Sequence, residues 1–229
     1  MAQLAFDLPH RPSLEGGDFL VAACNRAAVA MIDRWPDWPS HALALIGPAQ
    51  AGKSHLAAVW QARSGAEALS PEAVGARSRL MMRPQPSALI DDAEGGLREG
   101  RLDPVDLFHL HNWLRERGGF LLLTGRQAPG LWPVALPDLG SRLAAMPTAE
   151  IAPPDDDLLA ALMVKQLADR QLKADPRVID YAIARIGRSF EAVARFVARL
   201  DAASLAARRP ITVPLAREVL KDLEAQQDG

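Results

Sequence analysis

A chain of 229 residues, 49% hydrophobic and 24% charged, is ordinary for a globular protein and long enough for one large core or two modest ones. A net charge of −2 gives no sign of a whole-molecule nucleic-acid binder, and a single cysteine excludes an internal disulfide framework and fits a reducing compartment. No apolar run approaches the ~18 residues of a membrane span, so the expectation is a soluble, cytoplasmic protein without membrane contact.

In chain order, Gln3-Leu4-Ala5-Phe6-Asp7-Leu8 comes first, an apolar hexapeptide fenced by Pro9 and Pro12. It is too short for a helix that buries itself, and it lacks the basic and long apolar regions of a signal peptide. Two readings stand at this point: an edge strand or frayed terminus, or an extended peptide that docks in a groove on another protein. Cys24, followed by Asn25 and Arg26, has no metal-like neighbours and reads as a small packing residue. A proline-rich joint, RWPDWPSHALALIGP, then leads into the first of three short apolar runs, Ala42–Ile46, Ser87–Ile90 and 120–123, which alternate with helix-like segments. That alternation predicts βα units and a parallel sheet. Runs that are apolar throughout are what strands covered on both faces need. A second proline joint, EIAPPDDDLLAAL, separates this half from one that is wholly helical in texture. Asp155, Asp156 and Asp157 suit a helix N-terminus, with Leu158, Leu159, Leu162 and Leu167 on its apolar side. Further helices are expected in ADPRVIDYAIARIG, closed by Gly187, over 189–203, and after Pro214.

GPAQAGKSH carries the strongest chemical signal. Gly47, Gly52, Lys53 and Ser54 satisfy G-x-x-x-x-G-K-[ST], after a predicted strand and before a predicted helix over 54–61. Glycines let backbone N–H groups turn inward on phosphates, and the helix N-terminus adds partial positive charge. Gly47, Pro48, Ala51, Gly52 and His55 make up the rest of the phosphate-binding set. Lys53 is expected to neutralise β/γ oxygens, and the Ser54 hydroxyl to ligate Mg²⁺. SALIDDAE supplies the partner carboxylates at a strand end. Asp91 is the expected Mg²⁺ ligand, direct or through water; Asp92 either orients an attacking water or is a solvated turn residue. The third strand, FLLLTG, ends in Thr124, which is either a contact for the γ-phosphate region or a loop cap. His109 and His111, at the apolar start of a helix, read as packing residues.

These motifs resemble those of the AAA+ ATPases and, within them, the DnaA initiator family. The resemblance implies an α/β fold: an AAA+ P-loop domain with a parallel five-stranded sheet over residues 13–152, followed by a small all-helical lid domain over 153–229. DFLVAACNRAAVAMI is similar to the segment ahead of the family's nucleotide site, which places Phe19, Leu20, Val21 and Asn25 near the adenine. GKSHL resembles the family's GKTHL, His55 included, and LFHLHNWLRERGGFLLLTG resembles its sensor-one helix and strand. LPDLGSRL is similar to box seven, which makes Arg142 an exposed arginine finger; an ordinary surface arginine is the alternative. GRSFEAVARFV resembles the sensor-two helix and puts Arg188 toward the nucleotide, in competition with Arg185, Arg195 and Arg199. Two positions depart from the pattern. Arg126 stands where the family commonly has an acidic residue, and Ser189-Phe190 where it has a more polar pair.

QLAFDL resembles the sliding-clamp-binding motif, with Gln3 at the groove rim and Leu4, Phe6 and Leu8 in apolar pockets. Residues 1–12 are then an extended clamp-binding peptide. The initiator's amino-terminal and DNA-binding domains have no counterpart between Met1 and Gly229. This combination resembles the Hda group of DnaA-related regulators. What it implies is a protein holding ADP or ATP with Mg²⁺, docked on the DNA polymerase III sliding clamp (its beta subunit), with DNA contacted only through the clamp. Arg142, supplied in trans, would stimulate hydrolysis of DnaA-bound ATP and so inhibit replication initiation. A helicase loader and a clamp-tethered adaptor are the alternatives; the chain's own ATPase activity and a homodimer stay open.

Overall fold

The computed structural model describes residues 10–11, 19–75, 80–82, 84–207 and 209–225. Gln3, Leu4, Phe6 and Leu8 lie outside them. The described residues divide into two compact units, the first comprising 10–48 and 52–152, the second 153–225 together with 49–51.

The first unit is built on a five-stranded sheet: β3 (Ala42–Ile46), β4 (Glu67–Ala68), β5 (Ser87–Ile90), β6 (Phe120–Gly125) and β7 (Thr148–Glu150), in the order β4-β5-β6-β3-β7. Every pairing is parallel, with Ile46 opposite Gly125 and Ile90 opposite Leu123. The three apolar runs are the three central strands, and β3 and β5 are buried along their whole length. β6 runs past the expected 120–123 to Gly125, because Thr124 and Gly125 still pair with β3. A short antiparallel ribbon precedes the sheet, β1 (His10–Arg11) on β2 (Phe19–Leu20), so two residues within the expected 1–12 docking peptide are paired.

The α-helices among the described residues of this unit are α1 (Arg26–Asp33), α2 (Lys53–Ser64), α3 (Ala93–Arg98), α4 (Pro104–Glu116) and α5 (Pro137–Ala144). Helix α2 continues three residues beyond the expected 61 and stops at Gly65, which takes the left-handed conformation that ends helices. Helix α4 starts where Asp103 accepts the Val105 N–H and Pro104 fills the first helical position. Leu107, Leu110 and Leu114 on its inner face pack with Ile90, Leu121 and Leu123. Elsewhere in this unit Trp60 is fully buried and stacks on Trp38 at 5.3 Å, with Phe120 edge-on to Trp38. Such rings contribute large apolar areas and fix orientation.

The second unit holds α6 (Asp156–Asp169), α7 (Pro176–Ile183), α8 (Phe190–Ala207) and α9 (Val213–Ala225) around Leu159, Met163, Val178, Phe196, Leu200 and Leu215. Asp155 accepts the Leu158 N–H, Asp175 the Arg177 N–H, and Ser189 Oγ the Ala192 N–H, so three helices open on side-chain caps. The Ser189-Phe190 pair is therefore a cap and a core residue. Helix α8 extends four residues past the expected 203. No helix among the described residues is long and apolar enough to cross a membrane.

Candidate functional site

The loop after β3 is shaped by its glycines. Gly47 has φ +152°, and a Cβ there would lie 2.5 Å from the Ile151 carbonyl oxygen, so no other residue fits without moving the backbone that follows β7. Gly52, at φ +92°, is the left-handed residue from which α2 begins. The first N–H groups of α2 have no partners within the helix and mark an anion-binding end. Lys53 Nζ donates to the Gly47 and Pro48 carbonyls at 2.8 and 2.6 Å, folding the lysine back over the loop. Burial, and after it the like charge of Arg126, hold the Lys53 ammonium below its ordinary pKa, against the opposing pull of Asp91, Asp92 and Glu94. Ala51 is buried, Pro48 and His55 are half-buried, and Ser54 is exposed on the first turn of α2.

Asp91 and Asp92 follow β5 and are exposed. Thr124, 1% exposed on β6, donates its hydroxyl proton to Asp91 Oδ1 at 2.6 Å and accepts the Asp92 N–H at 2.8 Å. Its hydroxyl thus braces the two acids, a role neither sequence reading of Thr124 contained. Asp92 sits in the left-handed region at φ +53° and starts α3, and its Oδ2 lies 3.7 Å from Arg101. That places Asp92 at a turn, in a charge network shared with Glu72 and Glu99.

Sequence reasoning missed Glu94. It is 1% exposed, and its Oε2 accepts the backbone N–H groups of Arg126 and Gln127 at 2.5 and 2.9 Å, while Oε1 accepts from Arg98. Burial raises its pKa, but the two backbone donors and Arg98 outweigh that and leave the carboxyl below its usual range. The Trp132 indole N–H bonds the Gln127 carbonyl from the other side, so the loop leaving β6 is pinned at both ends.

Arg142 is not the exposed arginine the box-seven resemblance implied. It lies on the last turn of α5, half-buried, with its guanidinium 5.1 Å from the centre of the Phe108 ring and its Nε buried without a hydrogen-bond partner among the described residues. Phe108 comes from α4, as does His111, whose ring meets that of His41 edge-on at 4.5 Å. Burial, then the neighbouring His41, push the His111 pKa down to about 4. His111 is a packing residue, as read from the sequence, while His109 is exposed.

Ahead of the sheet, Phe19 falls in β2 and Val21 is half-buried. Asn25 is buried, and its Oδ1 accepts the Ala22 N–H at 2.8 Å, closing the turn into α1. In the second unit, Arg188 pairs with Asp156 at 2.9 Å in an exposed ion pair, which contributes little stability. Arg185 is stacked on Tyr181 at 3.9 Å, and Arg195 and Arg199 sit on an exposed i,i+4 face.

A family model described as the Hda lid domain matches residues 155–220. Among solved structures, domain III of the Thermotoga maritima replication initiation protein DnaA superposes with a TM-score of 0.71 at 17% identity, covering 89% of this chain and 94% of that one. A replication initiator DnaA bound to AMPPCP and single-stranded DNA gives 0.62 at 18% identity, over 80% and 63%. A point mutant of Thermotoga maritima RuvB gives 0.65 at 14%, over 87% and 67%. At these identities the likeness is one of fold.

Proposed function

We infer that this chain, in which an Hda lid domain follows an AAA+ fold of the DnaA type, is a nucleotide-binding regulator of the replication initiator that works from the sliding clamp. The observation that carries the reading is the Hda lid match behind a formed phosphate loop, with Lys53 laid over it. The residues fit a magnesium nucleotide. Gly47, Pro48, Ala51 and Gly52 form the cradle, and Lys53 exchanges two carbonyls for phosphate oxygens. Ser54 and Asp91 supply the few protein ligands Mg²⁺ takes beside phosphate and water. Thr124 holds one Asp91 oxygen and leaves the other to the metal. The bound ion supplies charge neutralisation at the phosphates, and ADP and ATP both satisfy this site. Phe19, Val21 and Asn25 are assigned to the base.

In the same reading Gln3, Leu4, Phe6 and Leu8 dock on the clamp as an extended peptide. Arg142 completes the active site of ATP-bound DnaA in trans, its cation neutralising charge that develops on the transferred phosphoryl group. One observation favours a second reading, an adaptor that only localises on the clamp: Arg142 is stacked on Phe108 rather than projecting. The test is hydrolysis of DnaA-bound ATP with DNA-loaded clamp and this protein added. Strong stimulation, lost in Leu4→Ala/Phe6→Ala and again in Arg142→Ala, is the expected result. Clamp binding without stimulation overturns the trans finger, and stimulation that survives Arg142→Ala removes that residue from the chemistry.

A further inference from the structure

Helix α7 buries Val178, Ile179 and Ala182, and beside that apolar strip Arg177, Tyr181 and Arg185 follow one another at four-residue steps. Tyr181 is half-buried at the margin of the core, whereas Arg177 and Arg185 are exposed. The Arg185 guanidinium lies 3.9 Å from the centre of the Tyr181 ring, and its Nη1 donates to the Tyr181 carbonyl at 3.0 Å. Helix α9, packed against α7, brings Arg217 to the same ring. Its Nε donates to the Tyr181 hydroxyl oxygen at 3.3 Å, and its guanidinium is 5.8 Å from the ring centre. Lys221 stands one turn further along α9, also exposed.

The cations of the second unit fall into two sets. Lys165, Arg188 and Arg209 are paired with Asp169, Asp156 and Glu218. Arg177, Arg185, Arg217 and Lys221 make no ion pair among the described residues, and Asp180, the exposed acid of α7, bonds to none of them. The net charge of −2 hides this face, because acids gather elsewhere: Asp155, Asp156 and Asp157 stand together at the start of α6. Like charges set side by side repel, and a polyanion laid along them removes that cost.

The form of the face selects the polyanion. Two helical turns separate Arg177 from Arg185, about 12 Å along the axis, so a single phosphate or carboxylate cannot meet the whole row. A nucleic-acid strand, with a phosphate every ~3.4 Å of rise, can. Arg185 covers the outer side of the Tyr181 ring, which leaves no open ring face for an unpaired base. Each arginine spends part of its fork on Tyr181 and keeps the remaining N–H groups for phosphate oxygens, already held in place. We propose that Arg177, Arg185, Arg217 and Lys221, arrayed around Tyr181 on the α7–α9 face, bind the phosphate backbone of duplex DNA without reading its sequence. The chain then meets DNA directly as well as through a clamp, and tethering there gives a weak site a high local concentration of duplex. The inference needs neither the nucleotide site nor Arg142.

The test is fluorescence anisotropy of a labelled mixed-sequence duplex titrated with the full chain at several salt concentrations. Four phosphate contacts give a slope of about −3.6 in log K against log salt, at about −0.9 per contact. Arg177→Ala/Lys221→Ala leaves both arginines on the Tyr181 ring in place. Its slope is expected to fall to about −1.8 and its affinity by about 10–100-fold at about 0.1 M salt. Arg63→Ala/Lys165→Ala removes the same charge from two ion pairs and is expected to keep the wild-type slope. A wild-type chain that binds no duplex at low salt overturns the proposal, as does an equal slope in wild type and Arg177→Ala/Lys221→Ala. So does a chain that binds no duplex yet loses stimulation of DnaA-bound ATP hydrolysis in that variant, which gives the face to an acidic protein surface instead.

Discussion

The His41–His111 pair makes the first unit sensitive to acid in a way that can be worked from its geometry. His111 is 7% exposed on the inner face of α4, its ring 4.5 Å from that of His41, with His41 Nε2 3.2 Å from the His111 carbonyl oxygen. Arg142 and Arg115 add like charge from α5 and α4, so a proton on His111 is opposed by burial, by His41 and by both arginines. The pKa is pushed from 6.5 down to about 4 in the folded chain. That of His41 is also lowered, by burial first. The sign follows from which state binds the proton. Below pH 6.5 the unfolded chain takes up a proton on His111 and the folded chain does not until about 4. Stability from the neutral ring is therefore complete above 6.5 and lost as pH falls through that window. At about 1.4 kcal/mol per pH unit, the loss from this one group reaches about 2 kcal/mol at pH 5 and about 3 kcal/mol below pH 4.

His111→Phe keeps a ring of similar size against His41 and removes the titration. Urea unfolding at pH 7 and pH 5 is the assay, with the first unit followed by tryptophan fluorescence, since every tryptophan of the chain lies before residue 153. Wild type is expected to lose about 2 kcal/mol more than the variant over that interval. Equal losses in the two proteins refute the reasoning, since they would mean that the buried imidazole accepts its proton as readily folded as unfolded.

Three further outcomes are expected. Thr124→Val removes the brace on Asp91 and leaves the Asp92 N–H without its partner, costing about 1–3 kcal/mol in chemical denaturation and raising the Mg²⁺ concentration needed for nucleotide binding; Thr124→Ser retains both. Gly47→Ala forces a Cβ to 2.5 Å from a backbone oxygen, so it destabilises the first unit by about 1–3 kcal/mol and abolishes nucleotide binding, read by melting and fluorescence titration. Asp155→Ala removes the cap of α6 and lowers lid stability by about 1 kcal/mol, measured as the denaturant midpoint at constant m-value.

What the sequence made legible was local. Ala42–Ile46 and Ser87–Ile90 announce themselves because central strands of a parallel sheet must be apolar on both faces, and the Gly47–Ser54 loop because its backbone needs glycine at fixed places. Glu67–Ala68 and Thr148–Glu150 had no such mark: two- and three-residue edge strands are made by the neighbour they pair with, not by their own composition. The site divides the same way. Lys53 and Asp91 were readable from spacing, whereas the Thr124–Asp91 bond joins residues 33 apart and exists only because β5 lies beside β6. Glu94 is an acid in the first turn of α3, a place where negative charge suits the dipole and draws no attention in a sequence. Its two backbone partners come from the loop that follows β6, more than thirty residues on, so nothing in DDAEGG pointed to them.

Arg142 shows how a magnitude decides between a residue's resting place and its proposed work. Stacked on Phe108 and half-buried, it gives up about 1–2 kcal/mol of cation–π attraction when it leaves that ring. Set against this is its buried Nε, which has no partner among the described residues at rest and gains one in solvent or on an anion. An arginine finger contributes roughly 10³–10⁵ in rate, which is about 4–7 kcal/mol at the transition state. The stacking is smaller than the gain by a factor of two or more, so a stowed Arg142 remains competent for a role in trans. The difference in size also sets what Phe108→Ala does. Freeing the guanidinium raises stimulation of DnaA-bound ATP hydrolysis by up to about tenfold, the worth of the lost stack, if Arg142 acts as the finger. If the protein is only an adaptor, the same substitution leaves hydrolysis where it was and shows itself solely as a loss of stability around α4 and α5.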